Sequence, residues 1–549
     1  MFAAAELIRS STASLRLILF ALVAGAALAA EGQLAVPLLS GEKWWGGRVV
    51  DGAAMPYGAT RAIARSLHAI DPESNQIQPL LVSSAGRYVW NEGPFAFAFA
   101  DGKLRLSQAS ADFTVATGGK TLADAFRAAA RAHFPPTGRM PAPLLFTAPQ
   151  YNTWIELLYE QRQERVLKYA HDLVAAGYPP GVLMIDDNWQ EAYGTWEFSA
   201  RRFSDSKAMM AELHRLGFKV MLWVCPFVSA DTEVFRALEK SNLLLKEKRR
   251  GAAASTARPA IVRWWNGASA VLDLSNPEAR AWFHARLDRL RREFGVDGFK
   301  FDAGDSPFYL SDTPGVEFTS HRPRTPEEHT EDFAAVGRDF PFNEYRACWK
   351  MAGEGLAQRL RDKDHTWDAL RELIPGIVAQ GLMGYAFTCP DMIGGGWSTA
   401  FEDPKKFDPE LVVRSAQVHA LMPMMQFSVA PWRVLDHKQA AICLAAAKLH
   451  ARLGPTLLAF ARHAAQTGEP IVRPLAWQWP GRDYEEIHDQ FMLGDEILVA
   501  PVVVKGARSR RVAFPPGKWR GDDDVVIEGP VTKEIAAPLE RIPHFQLVR

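Results

Sequence analysis

Cysteine is scarce in this chain: four in 549 residues, Cys225, Cys348, Cys389 and Cys443, far apart and in neither a CxxC pair nor a Cys/His cluster. The spacing implies neither a disulfide framework nor a zinc site, and buried free thiols are the plainer reading beside an isolated disulfide. Net charge is lacking as well, with Lys plus Arg and Asp plus Glu both at 63 and no long like-charge run. Nucleic acid and anionic membrane surfaces are therefore poor partners. Beyond the first thirty residues no apolar run approaches the ~20 residues that span a bilayer. There is no internal repeat, no low-complexity segment and no Gly-rich phosphate fingerprint after an apolar strand. No cofactor or metal is expected from these patterns.

What is present is enough apolar material, 48% of residues, for several cores, and the length suggests two to four domains. Arg9 and Arg16 precede LILFALVAGAALA from Leu17, with Ala-Leu-Ala at 27–29 before Glu31. This is the layout of a secretory signal peptide over 1–30, with an uncleaved anchor as its alternative. An exported protein, periplasmic or secreted, is expected. From 31 to 140 short alternating stretches such as RYVWNE and FAFAFADGKLRLS, broken by Asp-Gly and Gly-Gly, predict an antiparallel β-sandwich.

After the Pro-rich break at 135–143 the pattern changes to apolar runs alternating with helices. PLLFTAPQYN, GVLMIDDNW, KVMLWVCPF, DGFKFDAGD and MGYAFTCPD read as buried parallel strands, with YEQRQERVLKYAHDLVAAG and SDSKAMMAELHRLG as helices between them. Alternation over 141–462 predicts an α/β fold, a (β/α)8 barrel, with a doubly wound open sheet as the alternative. From 463 to 549 alternation returns and predicts a C-terminal β-sandwich.

Several predicted strands end in polar or aromatic residues: Asp186, Asp187 and Trp189; Trp223; Lys300 and Asp302; Asp391. In a parallel barrel all these ends meet at one face, where barrel enzymes build their sites. GFKFDAG, residues 298–304, places Lys300 and Asp302 on one side of a strand. They form either a satisfied ion pair at the strand end or a presented pair. Carboxylates and 17 Trp without metal-ligand clusters suit a sugar site, since glycosidic bonds are cleaved by two carboxylates.

LMIDDNW, VRWWNGASAVLDLSNPEARAWF, DGFKFDAGD, GYAFTCPDMIGGG and RPLAWQWP, in that order, resemble glycoside hydrolase family 31, and FKFDAG, DKDHTW and MQFSVAPWR resemble an α-galactosidase-like subgroup of it. The resemblance implies a retaining, exo-acting α-glycosidase acting on an oligosaccharide or glycoconjugate, with homo-oligomers common among related enzymes. The alternatives are an α-glucosidase or α-xylosidase, or an inactive carbohydrate-binding protein. Asp302 falls on the family's nucleophile. Asp362, sixteen residues after Arg346, falls on the acid/base, with Asp364 as runner-up. Sugar contacts carry over to Asp186, Trp265, Lys300 and Arg346, and to Trp154, Trp223 and Asp391. Gln426 and Ser428 replace an Arg-x-His element, and Pro390-Asp391 replaces His-Asp, both against ordinary α-glucosidase specificity.

Overall fold

The apolar runs between residues 150 and 427 pair in parallel as the strands of a barrel. They are β1 (Gln150–Asn152), β2 (Val182–Ile185), β3 (Lys219–Val224), β4 (Gly298–Phe301), β5 (Phe342–Tyr345), β6 (Gln358–Arg359), β7 (Thr388–Cys389) and β8 (Gln426–Phe427). Pairing runs β7-β6-β5-β4-β3-β2-β1-β8, and a parallel bridge between Met392 and Gln426 brings the two ends together. An open doubly wound sheet is thereby excluded. In this computed structural model residues 33–69, 75–403 and 405–548 are described, and the leader expected at 1–30 lies outside them.

Two expected strands are shorter than their apolar text. In PLLFTAPQYN, Leu144–Thr147 turns as a helix between Pro143 and Pro149, and only Gln150–Asn152 pairs. In MGYAFTCPD only Thr388–Cys389 pairs. Both expected helices form, Gln163–Ala175 and Ser206–Arg215, the second capped by the Asp205 side chain accepting from the Ala208 amide.

Before the barrel, two antiparallel sheets of four strands hold Trp44, Tyr57, Phe97 and Phe99 in the core. Asp101 and Gly102, both at positive φ (52° and 68°), make the two-residue turn between Ala96–Ala100 and Lys103–Ser107. This sandwich is stitched to the barrel: Cys348–Trp349, just past β5, adds in parallel to its strand Gln76–Ser83. After the barrel, the C-terminal strands form one six-stranded antiparallel sheet around Leu498, Phe514, Trp519 and Phe545. All four cysteines are buried and free. No helix among the described residues is long and apolar enough to cross a membrane.

β4 shows how the barrel sorts its side chains. Phe299 and Phe301 point out, Phe301 stacking on Tyr345 at 4.7 Å and meeting Phe333 of the helix Pro326–Val336 at 5.9 Å. Period-two alternation turns Lys300 inward between Trp223 of β3 and Glu344 of β5. Gly298 is required by close approach: a Cβ there would stand 1.9 Å from the Phe342 carbonyl oxygen.

Candidate active site

Asp302 leaves the C-terminal end of β4 with both carboxylate oxygens held. Trp223 Nε1 donates to Oδ2 at 2.8 Å and the Ala303 amide donates to Oδ1 at 3.0 Å. Ala303 takes φ 56°, a left-handed conformation that costs a non-glycine residue about 1 kcal/mol or more. Burial alone would raise the Asp302 pKa, but Lys300, then Arg346 and Arg359, outweigh it and hold the group below the ordinary carboxylate value. Lys300 itself bonds to Asp186 at 2.7 Å. Burial opposes its charge, while Asp186 foremost, with Asp302 and Glu344, raises its pKa. The expected Lys300–Asp302 ion pair is therefore a longer-range attraction, and the direct partner of Lys300 is Asp186.

The second carboxylate arrives from the loop after β6. Asp362 accepts from Arg359 at 2.7 Å and lies 3.7 Å from Arg346. The same guanidinia stand 4.0 and 3.9 Å from Asp302, so two arginines straddle the two aspartates. Burial would raise the Asp362 pKa, but Arg359, then Arg346 and Lys300, hold it well below the ordinary range.

A cavity of about 860 Å³ opens over this pair. Among its lining residues are Asp302, Asp362, Asp186, Lys300, Arg346, Trp154, Trp223 and Trp265, together with Asp364, which is exposed. Asp391 does not line it. That residue is fully buried behind Arg359, 2.6 Å from its Nη1, and also accepts from the Lys363 amide at 3.0 Å. Its place is underneath the arginine, out of reach of a sugar in this arrangement. Gln426 and Ser428 are likewise beneath the cavity: Gln426 Nε2 donates to Glu344 at 2.6 Å, and Ser428 Oγ accepts from the Ile155 amide at 2.7 Å.

Reading the sequence missed Arg359, which touches Asp362 and Asp391 and lies 3.4 Å from Glu344. The available signal was an arginine beside a barrel-strand glutamine, a position that requires buried carboxylate partners. It also missed the sandwich's contribution. Asn75 donates to Asp305, which lies 3.3 Å from Arg346, and the Gln76 side chain donates to the carbonyls of Arg346 and Arg359. Among the described residues no group of three or more His, Cys, Asp or Glu side chains is placed to hold a metal ion.

Fold and site together define a (β/α)8 barrel whose C-terminal face presents two aspartates in an aromatic-lined cavity. The family model for the glycosyl hydrolases family 31 TIM-barrel domain matches residues 143–459, and that for the family's C-terminal domain matches 468–547. The chain belongs to glycoside hydrolase family 31. It is 37% identical over 402 residues to the mouse myogenesis-regulating glycosidase, covering 71% of this chain and 54% of that one. It is 26% identical over 440 residues to alpha-glucosidase 2 of Bacillus thermoamyloliquefaciens, covering 74% and 53%. The chain thus spans about half the length of these curated relatives. In fold it is similar to a family 31 alpha-xylosidase from a soil metagenome, solved with xylose, at TM-score 0.80 and 21% identity over 94% of this chain and 79% of that one.

Proposed function

We propose that this protein is a retaining, exo-acting α-glycosidase that removes a terminal α-linked sugar, an α-galactosyl residue foremost, from an oligosaccharide or glycoconjugate. One observation carries the reading: Asp302 and Asp362 enter one cavity and share the guanidinia of Arg346 and Arg359. An Asp302 oxygen attacks the anomeric carbon as the bond to the leaving oxygen breaks, and protonated Asp362 gives its proton to that oxygen. A β-linked glycosyl ester forms. Asp362 then takes a proton from water, the water oxygen attacks the same carbon, and Asp302 departs, restoring the α configuration.

The lowered Asp362 pKa suits the carboxylate form that the second step needs, and the first step needs its protonated form. Lys300 and Arg346 keep Asp302 anionic until it attacks and stabilise it again as it departs, and Asp186 is placed to accept hydrogen bonds from sugar hydroxyls. The preference for galactosides rests on the departures at Gln426, Ser428 and Pro390. The alpha-glucosidase among the relatives supports the alternative, an α-glucosidase or α-xylosidase. Turnover of p-nitrophenyl α-galactoside, α-glucoside and α-xyloside tests this directly, and the anomer first released, read by NMR, tests retention. Release of the β anomer would overturn the mechanism. The Arg359–Asp362 ion pair favours one second reading, a sugar-binding protein without turnover, which affinity for galactose with no hydrolysis of any glycoside would establish. The leader pattern at 1–30 supports an exported chain.

A further inference from the structure

Asp187 is a strand-end carboxylate that the proposed chemistry leaves unused. It follows Asp186 at the end of β2, is 3% exposed and lines the cavity that holds Asp302 and Asp362. Its oxygens are taken up by this chain. The Asn188 amide and Gln190 Nε2 donate to Oδ1 at 2.6 and 3.1 Å, and the Tyr193 hydroxyl donates to Oδ2 at 3.1 Å, as does Asn266 Nδ2. None of these four donors is charged. Burial pushes the Asp187 pKa up to about 7 against these bonds, with the charge of Asp186 adding to the rise. A carboxylate already accepting four hydrogen bonds has no acceptor site left for a sugar hydroxyl. Asp187 is therefore engaged in holding the protein, and its most distant partner shows which part.

Three of the donors belong to its own loop, and Asn266 comes from the insertion between β3 and β4. There Ile261–Trp264 and Gly267–Val271 form a hairpin whose register, Trp264 opposite Gly267, leaves Trp265 and Asn266 as a two-residue tip. The second strand pairs at its base with Phe227–Val228, and the first lies at the sheet edge. So small a sheet does little to fix its far end. Side chains fix it instead. Asn266 Nδ2 also donates to the Tyr193 hydroxyl at 2.9 Å, which closes a ring of hydrogen bonds with Asp187, and Asn266 Oδ1 accepts from the Tyr159 hydroxyl at 2.7 Å. The neighbouring Trp265 ring has its centroid 4.9 Å from the Arg346 guanidinium yet is 45% exposed, so its own burial does little to keep it at the cavity wall.

We propose that Asp187 is a positioning residue: through Asn266 it latches the hairpin tip at the cavity, and so fixes Trp265 beside Arg346, where the terminal sugar is gripped. The proposal rests on the glycosidase reading above, and the experiment keeps the two apart. KM and kcat are measured for the p-nitrophenyl α-glycoside that the protein cleaves best, in a double-mutant cycle of Asp187→Asn with Trp265→Ala. Asp187→Asn exchanges one acceptor oxygen for a donor and cannot keep all four bonds. It should raise KM roughly three- to thirtyfold and change kcat far less, as when binding is lost equally from substrate and transition state. In the Trp265→Ala protein the same substitution should raise KM less than about twofold, because the ring it positions is gone. An equal rise in both backgrounds, or a loss confined to kcat, overturns the latch. If Asp187→Asn does not fold, Asn266→Ala opens the same latch from the tip and is read in the same cycle with the same outcomes. If the wild-type protein cleaves no glycoside, the glycosidase reading fails, and calorimetric affinity for methyl α-galactoside takes the place of KM. Non-additive losses then support the latch, whereas additive losses, or no binding by the wild type, overturn it.

Discussion

Asp302 and Asp362 bring the same side chain into the same cavity from different kinds of backbone. Asp302 ends a barrel strand, is tied on both oxygens by Trp223 and Ala303, and has a side chain only 11% exposed. Asp362 sits in a loop, is held by arginine alone, and is 33% exposed. A nucleophile must stay charged and fixed in line with one carbon. An acid/base must change charge twice in a turnover, and Asp362 is the more exposed of the two carboxylates.

The predictions test that division. Asp302→Asn removes the proposed nucleophile and should lower turnover of an activated aryl α-glycoside at least ~10⁴-fold. A rate near wild type would end its assignment. Asp362→Asn should lower kcat/KM roughly 10²–10⁴-fold on a disaccharide and much less on an aryl glycoside, whose leaving group needs no proton in the first step. Equal losses of kcat/KM on the two substrates would show that Asp362 is not the acid. Asp391→Asn acts through Arg359. With Asp391 neutral, the uncompensated guanidinium favours the anion of Asp362 more strongly, so the alkaline limb of kcat/KM should move to lower pH. An unmoved limb, read from the pH–rate profile, would leave Asp391 a purely structural role. Asp364→Asn should change kcat with an aryl glycoside by less than about threefold, as for an exposed group outside the chemistry. A loss matching that of Asp362→Asn would exchange their roles.

The same contrast explains what could be read from the sequence. The barrel was legible because buried parallel strands are continuous apolar runs, and Asp302 was legible because GFKFDAG sets a charge at the end of one. Asp362 needed counting from Arg346, since a loop carries no periodicity. Arg359 and the inward placement of Asp391 depend on which strands lie side by side at β6 and β7, and each of those strands pairs over only two residues. The short β7 also shows why MGYAFTCPD overstated its strand: hydrophobicity reports burial, not pairing. Of the exposed aromatics that line the cavity, Trp265 was named from the sequence, whereas Tyr159 and Trp397 were not. The hydrogen bonds beside them, from Tyr159 to Asn266 and from Trp154 to Gly396, join residues more than a hundred positions apart, a distance that no local pattern reports.

The Gln76 side chain, bonded to the backbone carbonyls of Arg346 and Arg359, has a consequence for how this molecule can be divided. The two arginines that set the charge of the site rest on a residue from the preceding sandwich, and Asn75 reaches Arg346 through Asp305. Cutting the chain at the Pro-rich break at 135–143 would separate two bodies that look modular, yet the barrel would leave with two carbonyls unsupplied. The border between architectures runs through the catalytic apparatus rather than around it. A transplanted barrel would need its sandwich, or a substitute for one glutamine, to keep its chemistry.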